Sequence, residues 1–388
     1  MKYALAVGSI RCALSNKEEE LTMKVICDRS ALLEALALTS GVIVSRTPKP
    51  VLSCVKLTAA DGVLTVAATD LEVALRLHTS KVEVQEPGEA LIPADKLNQI
   101  VRESVDATLS IEVTDQVAEI RGQDSRFKIY GFPAADAPAI PTFEGEADFQ
   151  ISSAEFHRLV SQTIFATARE NTRYAINGVL LEREGNKIAI VATDGHRLAL
   201  SKGSCKAAKA DNRSAIVPTK ALHMLLRLFG DSEQPVKVKI ADNQILFSSE
   251  ETLLASNLVE GNFPPYKDVI PKDCDKKATL DTHAIQSAVR RASLLTNDES
   301  KGVRLNFSDE GLTLTSRAPE MGEAEVKVPV PSYVGEPVEI GFNPQFILDA
   351  LKVVQSEQVT LEFKAANKPG ILRTGPDFLY VIMPVNLQ

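Results

Sequence analysis

A strand-like run closing on Ala-Thr-Asp occurs at Val66–Asp70 and again at Ile190–Asp194. A strand-to-helix junction follows each one: Leu91-Ile92-Pro93-Ala94, then Ile216-Val217-Pro218-Thr219. A third, drifted copy is Glu339-Ile340-Gly341-Phe342-Asn343-Pro344. Pro93 to Pro218 is 125 positions, and Pro218 to Phe342 is 124. Solenoid units run only about 20–50 residues, so this period is domain-sized. Three similar domains in a chain of 388 residues describe a scaffold whose shape carries its function.

Within each repeat the pattern predicts two amphipathic helices among many strands. The opening helices start near Ser30, Ser152 and Asp281, with apolar residues at helical spacing, such as Phe156, Leu159, Val160 and Ile164. Ser152 and Glu155 have capping-box spacing. Hairpins turning at Asp61-Gly62, Gly185 and Gly311 follow at matching places. The second helices are expected at about Asp95–Glu103, Lys220–Phe229 and Pro344–Val354, the last with Asn343 as cap and proline at the first helical position. Closing strands are expected at Arg126–Phe132, Thr252–Leu258 and Phe378–Met383. The fold class is therefore α+β, each domain a doubled β-α-β-β-β unit. The expected boundaries are 23–142, 143–270 and 271–388, after an N-terminal extension, 1–22, that reads as disordered.

Composition excludes several classes. No apolar run approaches the length that crosses a bilayer as a helix. A net charge of −8 argues against a uniformly basic nucleic-acid binder, though it is silent on local distribution. The five cysteines are scattered, with no C-x-x-C, which points to reduced thiols and a cytosolic protein. Phosphate-binding glycine loops, H-E-x-x-H and G-x-S-x-G are absent. Without tryptophan, and with few aromatics, a stacking platform for single strands is not expected.

One constellation could carry chemistry. Asp194 and His196, two apart, could ligate a metal or share acid–base work in a nucleic-acid hydrolase. The plainer alternatives are a polar turn after a strand, or an exposed loop offered to a partner. Basic residues recur on or beside the repeated helices, among them Arg46, Lys49, Lys96, Arg102, Arg158, Lys220, Arg290, Arg291 and Lys352. Most charged helical residues simply face water. Recurrence on equivalent helices is what would make a basic surface on an acidic chain.

With the repeats placed, the chain resembles the bacterial DNA polymerase III β sliding clamps. The resemblance is carried by Val191-Ala192-Thr193-Asp194-Gly195-His196-Arg197-Leu198, Arg173-Tyr174-Ala175-Ile176-Asn177-Gly178-Val179, Gly261-Asn262-Phe263-Pro264-Pro265-Tyr266 and Tyr380-Val381-Ile382-Met383-Pro384. It spans residues 23–388. It implies a head-to-tail homodimeric ring, with helices inside and sheets outside, that encircles duplex DNA without reading sequence. No enzyme activity, cofactor, metal or membrane is implied. The partners would be the replicative polymerase catalytic subunit, a clamp loader, and other replication and repair proteins bearing short linear motifs. The place would be the bacterial cytoplasm, at the nucleoid during replication.

By motif match, Arg46, Lys96, Arg169, Arg173, Tyr174 and Lys220 would face DNA. A partner groove would be lined by Ile176, Thr193, Gly195, His196, Arg197, Leu198, Pro264, Val269, Asn343, Phe346, Val381, Met383 and Pro384. Phe127 and Ile129 would meet Leu294 and Leu295 across the dimer seam. Three departures from the family pattern bear on the groove: Ala175 in place of an aromatic, Asp268 in place of a basic residue, and the tail Val385-Asn386-Leu387-Gln388.

Overall fold

The computed structural model describes residues 22–168, 175–208, 211–230, 232–296, 302–319 and 321–385. Six helices stand among its strands: α1 (Arg29–Thr39), α2 (Ala94–Glu103), α3 (Ser153–Ser161), α4 (Thr219–Leu228), α5 (Thr282–Ala292) and α6 (Pro344–Val353). Each repeat reads strand, helix, three strands, and then the same again. One short extra strand is added at Val82–Glu86, Lys206–Ala207 and Ser332–Val334.

Four of the helices, α1, α3, α5 and α6, start where a side chain can satisfy the orphan amides of a first turn. Asp28 accepts from the Ala31 amide (2.9 Å), Asp281 from Ala284 (2.7 Å) and Asn343 from Gln345 (2.9 Å). Ser152 caps α3 through the Glu155 amide at 3.3 Å, but the expected box closes only halfway. The Glu155 carboxylate turns along the helix to Arg158 instead (2.8 and 2.9 Å), because an ionic partner one turn away outcompetes a backbone amide. Phe156, Leu159 and Val160 are fully buried. Each contributes about 1.5–3 kcal/mol by leaving water.

The chain divides into two compact units. The first comprises the residues up to Ala68 together with Leu77–Ala139. There Thr22–Asp28 lies between Val82–Glu86 and Thr108–Thr114, both antiparallel, and Arg126–Tyr130 closes that sheet at one end. Cys54–Ala60 pairs with Val63–Thr69 and Gly88–Pro93. Asp61 and Gly62 turn the hairpin with φ of 51° and 75°. Cys27 is buried, and burial, then the neighbouring Asp28, push its thiol up to about 12, so it acts as a small core residue.

The second unit comprises Thr69–Arg76 and Ile140–Gln388 and holds the second and third repeats. One sheet runs continuously through both. Its seam is Arg197–Ser204 against Phe378–Ile382, from Arg197↔Ile382 to Ser201↔Phe378. Neither repeat presents an open edge there. A four-stranded sheet in the order Gly322–Val328, Gly311–Ala318, Val303–Ser308, Val338–Phe342 completes the unit.

Candidate partner-docking site

Thr193–Leu198 is a turn fastened from inside. Thr193 Oγ1 donates to the Arg197 carbonyl (2.6 Å) and accepts from the Gly195 amide (3.1 Å). Asp194 Oδ1 accepts from the amides of His196 and Arg197, both at 3.0 Å. Gly195 sits at φ 87°, where a side chain would be strained although nothing lies within 4 Å of its Cβ position.

Arg197 then reaches across to the third repeat. Its Nε donates to Asp194 Oδ2 (2.9 Å), Nη1 to Asp349 Oδ2 on α6 (2.8 Å) and Nη2 to the Phe165 carbonyl (2.8 Å). The guanidinium lies 4.5 Å from the Phe346 ring centre and 5.6 Å from that of Phe165. Burial alone would raise the Asp349 carboxyl, but hydrogen bonds from Arg197 and Gln345 outweigh it and hold the group below the usual carboxylate range. Tyr380 is fully buried and donates to the Phe346 carbonyl (3.0 Å), and burial raises its phenol. The His196 carbonyl accepts from the Met383 amide (2.9 Å), and Gly341 from Val385 (2.9 Å), so the C-terminal segment is tied to both repeats.

Apolar residues converge beneath this frame. Leu198 and Val381 face each other in the sheet, and both belong to a buried cluster with Ala175, Leu180, Val191 and Tyr266. Ile176 and Thr193 are each 7% exposed and serve as wall. Val269 and Met383 are exposed, His196 is exposed, and Pro264, Asn343, Phe346 and Pro384 are half-exposed. Asn343 is committed to its capping bond. Ala175, where the family pattern has an aromatic, is buried beside Gly261, whose amide neighbour Asn262 accepts from Ala175 through its carbonyl (3.3 Å).

This geometry removes the hydrolase alternative. Both carboxylate oxygens of Asp194 are occupied within the turn, and among the described residues no three His, Cys, Asp or Glu side chains gather as a metal site. What the arrangement offers is a pre-ordered ledge with exposed apolar edges.

The other sequence-derived residues fall as follows. Arg46 and Lys96 are exposed in the first unit. Lys220, on α4, is ion-paired to the buried Asp70 carboxylate, which offsets its charge. Arg158 is not available either, since it bonds Glu155, Gln162 and the Lys202 carbonyl. Arg169, Arg173 and Tyr174 lie outside the described residues. Phe127 is 40% exposed and Leu294 70%, Leu295 is half-exposed, and Ile129 is buried at 7% within its own sheet. The sequence reading missed Asp349, Phe165 and Tyr380 as parts of the ledge. Asp349 had a signal, being the sole acid on α6.

The fold and ledge define a three-repeat scaffold with a pre-ordered surface where the second and third repeats meet. Family models for the DNA polymerase III β subunit match in order: the N-terminal domain at residues 23–141, the central domain at 150–265 and the C-terminal domain at 267–386. A β sliding clamp of Pseudomonas putida is 36% identical over 94% of this chain and all of the relative, and that of Escherichia coli is 33% identical over the same shares. A Bacillus subtilis DNA polymerase sliding clamp superposes with a TM-score of 0.90 at 28% identity, again over 94% of this chain and all of the other. A Pseudomonas aeruginosa clamp, solved bound to griselimycin, gives 0.89 at 35% over the same shares. The chain belongs to the DNA polymerase III β subunit family, the bacterial β sliding clamps: it is a non-catalytic processivity factor built from three clamp domains.

Proposed function

We propose that two copies of this chain close head to tail into a ring around duplex DNA, and that the ledge at Thr193–Leu198 docks short motifs of the replicative polymerase, the clamp loader and other replication and repair proteins. The observation that carries the docking reading is the Arg197 guanidinium, fixed by three acceptors in two repeats, beside the exposed Met383 and His196. A partner segment needs one apolar anchor on such a pre-ordered surface, because ordering the receptor then costs little.

Two strand edges support the dimer. Arg126–Tyr130 ends the first unit's sheet with exposed Phe127, Tyr130, Arg126 and Lys128. Gly322–Val328 ends the four-stranded sheet with exposed Glu323 and Glu325 near exposed Leu294 and Met321. Both edges have exposed apolar residues on or near them, so a second copy can satisfy each. Phe127 would supply most of the apolar contact on its side, since Ile129 is already buried.

Arg46 and Lys96, joined by Arg169, Arg173 and Tyr174, would meet phosphates weakly enough to permit sliding. Lys220 would contribute less, being paired with Asp70. The place of action would be the nucleoid.

Light scattering and DNA retention test this. The expected result is a dimer that stays on nicked circular DNA and is lost on linearisation, with Phe127→Lys and Leu294→Lys giving monomers that are not retained. A wild-type monomer, or equal binding to both DNA forms, overturns it.

A further inference from the structure

The second unit builds the frame of the docking ledge twice. Thr69–Val73 repeats Thr193–Arg197 bond for bond. Thr69 Oγ1 donates to the Val73 carbonyl (2.9 Å) and accepts from the Leu71 amide (3.0 Å), and Asp70 Oδ1 accepts from Glu72 (2.9 Å) and Val73 (2.7 Å). Leu71 holds φ 79° where Gly195 holds 87°. The flanking segment is tied alike: the Asn257 amide donates to Glu72 as Met383 does to His196, and Val259 to Ile216 as Val385 does to Gly341.

The copies differ at three side chains, Leu71 for Gly195, Glu72 for His196 and Val73 for Arg197, and the last decides what the turn reaches. Val73 stands where Arg197 stands, so no guanidinium crosses from this turn. Beside it opens a cavity of about 1210 Å³, larger than most small-molecule sites. Its floor includes Val73, Ile216 and Val259, and its rim carries Glu72, Asp242 and Glu260. These three acids are exposed and make no ion pair among the described residues. The two lysines that line the cavity are engaged, Lys220 by Asp70 and Lys267 by Glu182 and Glu184 at 3.8 and 3.9 Å.

We propose that this cleft is a further protein-docking site, taking an extended peptide segment with an apolar side chain flanked by lysine or arginine. The frame's role as a dock rests on the reading given above for Thr193–Leu198, while the cavity and its charge stand apart from it. The rim acids, without an ion pair among the described residues, set the cleft apart from the ledge, where Asp194 and Asp349 are paired with Arg197, so the two sites select different segments.

The test is fluorescence anisotropy on the full chain, with a labelled decapeptide in which two leucines are flanked by lysines. The double reversal Glu72→Lys with Glu260→Lys is expected to weaken binding by about tenfold or more. Glu251→Lys, an exposed acid that does not line the cavity, and Met383→Lys, on the ledge, should leave it unchanged. Circular dichroism confirms that the variants fold. Binding unchanged by the double reversal, or absent from the wild type, overturns the proposal. Equal weakening by Glu251→Lys would mean general attraction to an acidic protein, and loss on Met383→Lys would place the peptide on the ledge; either overturns it too. The ledge is tested separately by a short linear-motif peptide of the replicative polymerase, which Met383→Lys should weaken whatever the cleft does.

Discussion

Replacing Arg197 by alanine removes a buried side-chain tie between the second and third repeats. The side chain is 11% exposed, and its partners Asp194 and Asp349 are 18% exposed, so the pairs are poorly screened. Deleting one partner of such a buried pair costs about 3–5 kcal/mol, because the remaining carboxylate stays desolvated. The lower end applies here. Asp349 keeps Gln345 Nε2 (2.6 Å) and Lys352 (3.3 Å), and Asp194 keeps its two backbone amides. A loss of about 3 kcal/mol lowers the melting temperature of a unit this size by roughly 6–12 °C, readable by calorimetry. Combining Arg197→Ala with Asp349→Asn should recover about 0.5–3 kcal/mol relative to additivity. The pH dependence has a definite sign. The folded Asp349 carboxyl lies below its ordinary 3.8, so its contribution is full above about that pH and is lost as pH falls through the lower folded value. Without Arg197 the buried Asp349 carboxyl takes up its proton at a higher pH than in the wild type, so the gap between wild type and Arg197→Ala should narrow as pH falls toward the wild type's lower folded value. A loss under about 1 kcal/mol, or full additivity with Asp349→Asn, would refute the assignment of Arg197 as the tie.

The two turns make opposite predictions at equivalent positions. Gly195→Ala should destabilise by about 1 kcal/mol from backbone strain alone, since its Cβ meets nothing. Leu71→Gly should be neutral or stabilising by up to about 0.5 kcal/mol, strain relief outweighing the added freedom of the unfolded chain. Denaturant midpoints decide, and a neutral Gly195→Ala would count against the strain argument. In the first unit, hydrogen bonds from Arg126 hold the Glu119 carboxyl down to about 2, against burial that would raise it. A carboxyl-carbon NMR titration should find that midpoint, and Arg126→Ala should return it toward 4.5. The stability this pair contributes is complete above about 4.5 and fades as pH drops toward 2.

The period of the repeat and the helix positions were legible because they are local. Caps at Asp28, Asp281 and Asn343, and apolar spacing such as Phe156–Leu159–Val160, act within a turn or two of chain. The third strand of several half-repeats escaped the sequence reading for two physical reasons. Arg197–Ser204 is buried on both faces over Leu198–Ser201, so its alternation vanishes. Gly322–Val328 alternates, but an edge strand with Glu323 and Glu325 facing water reads as loop. The docking turn was visible as a motif, yet its mechanism was not. Asp349 lies 152 residues beyond Arg197, and no local pattern announces that the two meet.

The same distinction explains why the first copy of the turn looked inert. Thr69 and Asp70 preserve every local bond, so the backbone is copied. Val73 in place of Arg197 changes only what the turn reaches. In one copy the reach is inward: a guanidinium fills the space between α6 and Phe165 and leaves a ledge. In the other, the Asp70 carboxylate that has no arginine beside it takes Lys220 instead, and the space stays open as a cleft. A repeat can therefore keep its frame through short-range hydrogen bonds while one long side chain sets whether the frame presents a surface or a cavity.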